Sequence, residues 1–169
     1  LAVHAFLPAD DSKLQAMYGC SVSSCFLKAT ATVTSGLPED AVIYPHYTWL
    51  TPIKNANLDS NNFNIEITNI TQSSHNTFAF TVTSSQTAPF LWLDLDTQAL
   101  KLPASAGQGI STYAGWFSDN NFVAEANVNY VLTYTAFHNT NKETVYPQLT
   151  LDVFSSSLRA RALQSLYSC

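Results

Sequence analysis

Asp94 and Asp96 are the residues whose type and spacing come nearest to catalytic chemistry in this sequence. Hydrolysis of a glycosidic bond needs two carboxyl groups held across that bond. The two aspartates share one face at the end of a predicted strand, with Cβ atoms about 7 Å apart. With Asp119 they could also offer oxygen ligands to calcium, although the sequence contains no full ligand loop. A solvated strand end is the preferred interpretation of both aspartates.

Other side chains that could bind a metal or act as nucleophiles are dispersed along the chain. No two histidines lie at metal-ligand spacing on one predicted element, so surface or packing roles suit them better. They are His4, His46, His75 and His138. The sequence has no glycine-rich phosphate loop and no serine in a nucleophile elbow. We therefore expect neither a metal site nor a cofactor.

Three tryptophans could stack on sugar rings, namely Trp49, Trp92 and Trp116. Tryptophans of β-sandwich proteins are more often anchors in the core, because their large apolar surface is best buried. We keep Trp49 and Trp116 as weak candidates for sugar stacking.

Cysteines and one sequon bear on the cellular compartment. A small loop disulfide between Cys20 and Cys25 is the preferred pairing, although sequence alone does not fix connectivity. Cys169 would then be free or bonded to another chain. Asn69 opens an Asn-Ile-Thr sequon and is a candidate glycosylation site. We expect a secreted protein, with the lysosome or vacuole as the alternative, since these routes allow both a disulfide and a glycan.

The composition describes a globular protein with a modest negative charge. Of 169 residues 46% are hydrophobic and 11% are charged, and the formal net charge is −5. The seven basic residues are scattered, which argues against nucleic-acid and anionic-membrane partners. No apolar run approaches the ~20 residues that a spanning helix needs. Because the chain starts at Leu1 without a signal-peptide pattern, we expect a removed leader or an internal cut.

Hydrophobic alternation predicts the elements that carry these residues. Phe63, Ile65 and Ile67 alternate with polar residues, and residues 78–82 repeat the pattern after a turn, which predicts a hairpin. The continuously apolar residues 89–95 predict a buried strand. Six or seven short strands separated by turn signals indicate an antiparallel sandwich. The remaining predicted elements are strands at 122–126, 130–136 and 149–153 and a terminal helix at 155–167.

The region before residue 57 predicts an incomplete domain, with three strands and one helix. Three strands bury little surface, and a sandwich needs two covered sheets. The predicted strands are 1–8, 26–34 and 41–50, and the helix runs through 13–18 to Gly19. We therefore expect a piece of a longer protein, made of part of one sandwich (1–56), a complete sandwich (57–154) and a helical tail (155–169).

Residues 115–122 combine aromatic side chains with a polar turn. The serine, aspartate and asparagine side chains favour turn geometry, and Asp119 is expected to cap the turn. Trp116, Phe117 and Phe122 would fix the turn onto a hydrophobic core. We interpret this stretch as a structural corner.

This corner and the strand before it resemble the C-terminal region of β-mannosidases of glycoside hydrolase family 2. The matching residues are the apolar strand 88–94 and, after a loop, Gly115, Phe117-Ser118-Asp119-Asn120 and Phe122. The resemblance is specific over residues 88–122 and looser over most of the remaining chain.

The sequence departs from the family pattern at two positions of the corner. Family members commonly have arginine where Trp116 stands and glycine where Asn121 stands. Asn121 would then have to take any positive φ that the glycine adopts.

The resemblance implies an all-β fold, in which part of a second β-sandwich precedes an immunoglobulin-like antiparallel sandwich and a short C-terminal helix follows it. It implies that the whole enzyme removes terminal non-reducing β-D-mannose by a retaining mechanism, with two glutamates on a (β/α)8 barrel. Neither catalytic segment matches this sequence, so no catalytic residue is carried over. The glutamates lie in predicted turns or strands of the sandwich: Glu39, Glu66, Glu125 and Glu143.

The expected role is therefore to pack against and stabilise the remaining catalytic part of the same enzyme, whose substrate would be a β-mannoside oligosaccharide. Two alternatives stay open. One is a module that binds mannan through Trp49 or Trp116. The other is an adhesion-type sandwich with no enzyme attached.

Overall fold

The computed structural model describes residues 10–30, 45–58, 61–96, 115–137 and 149–166. The chain divides into two compact units, Leu1–Asp59 and Ser60–Cys169. The elements of the first unit are α1 (Asp11–Tyr18), β1 (Phe26–Ala29), β2 (His46–Trp49) and a 3₁₀ turn (Ile53–Asn55). Those of the second unit are β3 (Ile65–Ser74), β4 (Thr77–Ser84), β5 (Ala88–Leu95), β6 (Gly115–Phe117), β7 (Phe122–Ala124), β8 (Tyr130–Ala136), α2 (Leu151–Ser157), β9 (Leu158–Arg161) and a 3₁₀ turn (Leu163–Leu166).

Helix α1 forms where its capping residues predict it. The carboxylate of Asp10 accepts hydrogen bonds from the Ser12 hydroxyl (2.7 Å) and the Ser12 backbone N–H (2.9 Å), and these bonds lower the pKa of Asp10. Gly19 ends the helix at φ 71°, where its N–H bonds the Gln15 carbonyl oxygen. Leu14 is the buried residue of the helix. The predicted helix is confirmed.

Strands β1 and β2 pair antiparallel in a two-stranded sheet. They cover the described parts of the predicted strands 26–34 and 41–50, and β2 begins directly after Pro45, which cannot donate a ladder hydrogen bond. The predicted strand 1–8 lies outside the described residues. The interpretation of this unit as half of a second sandwich stays a prediction.

The second unit is an antiparallel sandwich, as predicted. One sheet has the strand order β3-β4-β8-β6 and the other has the order β7-β5-β9. A single cluster of buried side chains from both sheets and α2 forms the core. The Phe154 ring from α2 stacks on Phe78 of β4, with ring centroids 4.5 Å apart. Complete burial of such a side chain stabilises the fold by about 1.5–3 kcal/mol.

Strand β5 departs from the predicted strand because only one of its faces is buried. Leu91, Leu93 and Leu95 point into the core, whereas Phe90 and Trp92 are exposed. A bulge places one extra residue between Ala88 and Leu91, relative to the facing pair Ala124 and Phe122. The apolar run of residues 89–95 therefore combines leucines that face the core with aromatic residues that face outward.

The C-terminal prediction is wrong in both of its elements. Residues 149–153 are not a strand, because Thr150 caps a helix by accepting a hydrogen bond from the Val153 N–H (3.4 Å), and that helix carries Phe154 into the core. Residues 155–167 are not one helix, because α2 ends at Ser157 and Leu158–Arg161 pair with β5. The spacing of four between Leu158 and Ala162, both buried, satisfies the strand period as well as the helix period. This segment is thus part of the sandwich rather than a helical tail.

No helix in the described part of the chain has the length and apolar character required to cross a membrane.

Candidate functional site

The corner at residues 115–122 holds the two sheets together through short polar side chains. On one side, Ser118 N–H donates to the Thr133 carbonyl oxygen (2.8 Å), and Thr133 N–H donates back to Ser118 Oγ (3.0 Å). On the other, Asn120 Nδ2 donates to the Leu93 carbonyl oxygen (3.0 Å), while Leu93 N–H donates to Asn120 Oδ1 (2.8 Å). The polar side chains of the corner are therefore engaged with the backbone, as a structural corner requires.

Aromatic residues of the corner alternate between the core and the outer surface. The Phe117 ring lies 4.8 Å from Tyr134 and 6.2 Å from Phe80 between centroids. The Phe122 ring contacts Tyr130 at 5.1 Å. Trp116 faces outward and is 52% exposed. The prediction that Trp116 anchors the corner in the core is therefore wrong, because it occupies the outer face of β6 while Phe117 faces inward. Phe117 and Phe122 are the anchors of the corner.

Asn121 adopts φ 58°, which confirms the expectation that it takes the conformation available to a glycine. Asn is among the few residues that tolerate this region. Asp119 Oδ1 accepts a hydrogen bond from the Asn120 N–H (2.8 Å) and so caps the turn, as predicted.

The three candidate aspartates are engaged in separate local interactions. Asp94 Oδ1 accepts a hydrogen bond from the Leu95 N–H (2.8 Å). Asp96 Oδ2 lies 3.4 Å from Arg159 Nη2 in an ion pair that is partly exposed. Within residues 10–30, 45–58, 61–96, 115–137 and 149–166, no three His, Cys, Asp or Glu side chains are grouped closely enough to hold a metal ion.

The other acidic and imidazole side chains are at the periphery. His46, His75 and Glu66 are exposed. Glu125 is half-buried, and its backbone N–H donates a hydrogen bond to the Tyr130 hydroxyl oxygen (2.8 Å). The remaining predicted positions, His4, His138, Glu39 and Glu143, lie outside the described residues.

Trp49, the second sugar-stacking candidate, is partly buried in an aromatic cluster on the first unit. Its ring lies 5.1 Å from Phe26, its cross-strand partner, and Phe26 also contacts Tyr47 at 5.7 Å. This is the packing expected of an anchor in a two-stranded sheet.

Cys20 and Cys25 form the predicted disulfide, with Cα atoms 5.7 Å apart. Cys169 lies outside the described residues. The sequon residue Asn69 is exposed at a bulge of β3, where it adopts φ 52° and its Nδ2 donates to Thr81 Oγ1 (3.5 Å). Glycosylation of Asn69 stays a prediction, and its exposure leaves room for a glycan.

One surface concavity was missed by sequence reasoning. It has a volume of about 230 Å³ and lies on the outer face of β5 and β9, where it is lined by Phe90, Trp92, Arg161, Ala162 and Leu163. Part of the signal was visible in the alternation of Phe90, Trp92 and Asp94 within an apolar run. The contribution of β9 was hidden, because that strand was predicted as helix.

Comparison with protein families decides the classification of the second unit. Residues 61–163 match the model of the mannosidase Ig-fold domain. The chain belongs to the mannosidase Ig-fold domain family. The match runs from the turn before β3 to the residue after Ala162, so it includes α2 and β9 within the Ig-fold domain. No curated protein matches the chain.

The corner and the core of the Ig-fold domain are positioned by backbone and aromatic contacts. Its candidate aspartates make local contacts, since Asp94 and Asp119 each accept a hydrogen bond from the next backbone N–H and Asp96 pairs with Arg159. Glycosidase chemistry requires two carboxyl groups that flank a sugar bond. The candidates for such a pair, Asp94 and Asp96, stand two residues apart along the chain, and their carboxylates are engaged by the Leu95 N–H and by Arg159.

Proposed function

We propose that this chain is a non-catalytic part of a β-mannosidase of glycoside hydrolase family 2, which hydrolyses terminal non-reducing β-D-mannose residues by a retaining mechanism. The observation that carries the proposal is the match of residues 61–163 to the mannosidase Ig-fold domain. The resemblance of residues 88–122 to β-mannosidases supports the finer assignment.

The role we assign to the domain is to pack against the catalytic barrel and stabilise it. The structural use of Asp94, Asp96 and Asp119 supports a role without chemistry of its own. The Cys20–Cys25 disulfide is consistent with a secreted enzyme, or with one in a lysosome or vacuole, since disulfides persist in such compartments.

Purification from the native source tests this proposal. An antibody against the chain should isolate a larger polypeptide, or a companion chain, that cleaves 4-nitrophenyl β-D-mannopyranoside and leaves the α-anomer intact. Intact mass then shows whether the hydrolase and the Ig-fold domain are one chain or two. Isolation of the chain with no β-mannosidase activity contradicts the assignment and favours the adhesion-type sandwich.

The stabilising role has its own test. When the chain is expressed alone, the first unit is expected to unfold without a sharp transition, because it has only the two-stranded β1–β2 sheet among its described residues, whereas the second unit has a core of its own. A cooperative calorimetric transition of the first unit in the isolated monomer contradicts that role.

A further inference from the structure

The outer face of β5 and β9 has the features of a ligand site. Phe90 is 46% exposed and Trp92 is 50% exposed, and both rings line the concavity together with Arg161. Trp92 and Arg161 are direct partners in the antiparallel pairing of the two strands, which brings the indole and the guanidinium side by side. Two exposed aromatic rings and one guanidinium group therefore line the same recess.

The backbone at Phe90 is held in an unfavourable conformation. Phe90 adopts φ 54° at the bulge of β5, a region that is rarely occupied by a bulky side chain. Strain of this kind persists only where the surrounding structure imposes it, and it concentrates at binding sites. Here the bulge turns the Phe90 ring to the outer face, on the same side of β5 as Trp92.

Polar side chains beside Phe90 and Trp92 offer hydrogen-bond donors and acceptors to a ligand. The side chain of Arg161 makes no hydrogen bond or ion pair with another described residue, in contrast to that of Arg159, which is paired with Asp96. Its guanidinium offers five donors. Asp94 is exposed two residues beyond Trp92 on the same face and adds acceptor oxygens.

The size and surroundings of the recess favour a small ligand over a protein. Its volume of about 230 Å³ is below the range of about 300–1,000 Å³ that holds a drug-sized molecule, so it suits one ring. A stable protein interface buries about 800 Å² on each partner. Two residues beyond Trp92 and Arg161 along their strands, the facing pair Asp94 and Arg159 is charged rather than apolar.

We propose that Phe90, Trp92 and Arg161 form a carbohydrate subsite for one pyranose ring of an oligosaccharide or polysaccharide. The C–H face of the sugar packs on the indole of Trp92 and the edge of the Phe90 ring. Arg161 donates hydrogen bonds to hydroxyl or ring oxygens of the sugar. This subsite lies in the sandwich and is independent of Trp49 and Trp116, and it does not depend on the enzyme to which the chain belongs.

Affinity electrophoresis of the full natural chain in gels containing soluble galactomannan or hydroxyethyl cellulose tests the subsite. The wild-type protein should be retarded by at least one polymer. Trp92→Ala should weaken binding by about tenfold through the loss of the stacking surface. Arg161→Gln, an exposed substitution that leaves the core intact, should weaken it by about threefold through the loss of charged donors. Trp116→Ala removes an equally exposed indole from the other sheet and should leave the retardation unchanged.

Circular dichroism spectra identify any variant that fails to fold. If Trp92→Ala fails to fold, the retardation of Arg161→Gln still tests the subsite. Absence of retardation of the wild-type protein in both polymers overturns the proposal. So does equal loss of binding in Trp116→Ala. Release of a companion polypeptide by Trp92→Ala, with retardation unchanged, also overturns it and identifies the recess as a protein contact.

Discussion

Leu93 and Asn120 are joined by two hydrogen bonds in which a side-chain amide takes the place of a peptide group. Leu93 N–H donates to Asn120 Oδ1, and Asn120 Nδ2 donates to the Leu93 carbonyl oxygen. Strands β5 and β7 pair at Leu91 and Phe122, and the next step of that antiparallel register brings Leu93 opposite Asn120. The ladder therefore continues beyond the end of β7 through one asparagine side chain.

Asn120→Ala should lower the free energy of unfolding by roughly 2–3 kcal/mol, because both backbone groups of Leu93 lose their partner in a partly buried place. Urea denaturation measures the change. Asn129→Ala is the matched control, since Asn129 accepts an exposed hydrogen bond from Thr83 (2.7 Å) and its loss should cost less than about 0.5 kcal/mol. Equal losses of unfolding free energy in the two variants would show that the hydrogen bonds between Leu93 and Asn120 stabilise the fold no more than an exposed side-chain hydrogen bond does.

Asn121→Gly should raise the free energy of unfolding by about 0.5–1 kcal/mol, because glycine adopts the φ of 58° without steric cost. Asn121→Val should lower it by about 1 kcal/mol or more, since a β-branched residue is a strong outlier there. Thermal melting of the two variants and the wild type gives the order of their stabilities. A valine variant as stable as the glycine variant is inconsistent with the positive φ.

Gly115→Ala should destabilise the sandwich by about 1–3 kcal/mol, because a methyl group at this position would overlap the Tyr134 side chain and the Thr135 carbonyl oxygen. Chemical denaturation at neutral pH measures the loss. In a Tyr134→Phe background the overlap with the hydroxyl disappears, so the same substitution should cost less. An unchanged cost in that background would place the strain at the Thr135 carbonyl oxygen and the ring carbon Cζ of residue 134 rather than at the hydroxyl.

Tyr134 should make stability depend on pH in the alkaline range. Burial raises the pKa of its phenol from an ordinary value of about 10 to about 12. The pKa of Tyr134 in the folded state exceeds its pKa in the unfolded state. The stability that depends on the neutral phenol is therefore complete below pH 10 and is lost as the pH rises from 10 to 12. The loss is roughly 2–3 kcal/mol.

Urea unfolding at several pH values measures this loss, with Tyr134→Phe as the control. Groups other than Tyr134 titrate in both proteins, so the difference between the two curves isolates the phenol. Parallel curves for the two proteins between pH 10 and 12 would contradict the predicted shift.

The sandwich could be predicted from the sequence because apolar residues recur at every second position of its strands. Strand β8 was predicted with the bounds that it has, and β3 and β4 were predicted from alternation in Phe63–Ile67 and in residues 78–82. The C-terminal segment was misread because Leu158 and Ala162 fit both periods, and only pairing with a distant strand decides between them.

The candidate recess could not be predicted because it depends on that same distant pairing. Trp92 was placed in a run that reads as buried on both faces, and its neighbour Arg161 was assigned to a helix. Trp116 was likewise expected in the core, although it is 52% exposed. Local pattern thus indicated where the strands lie, whereas long-range pairing determines which faces are covered and which residues meet.

The pairing of β5 with β9 has a consequence for biosynthesis. A ribosome makes β5 long before β9, and β9 covers one edge of β5 from Trp92 to Leu95. Until Leu158–Arg161 have emerged, a strand that is apolar on one face and aromatic on the other leaves backbone donors and acceptors uncovered. Such an edge is a template for pairing with another nascent chain. During the interval between the synthesis of these two strands, the sandwich is therefore exposed to aggregation through the open edge of β5.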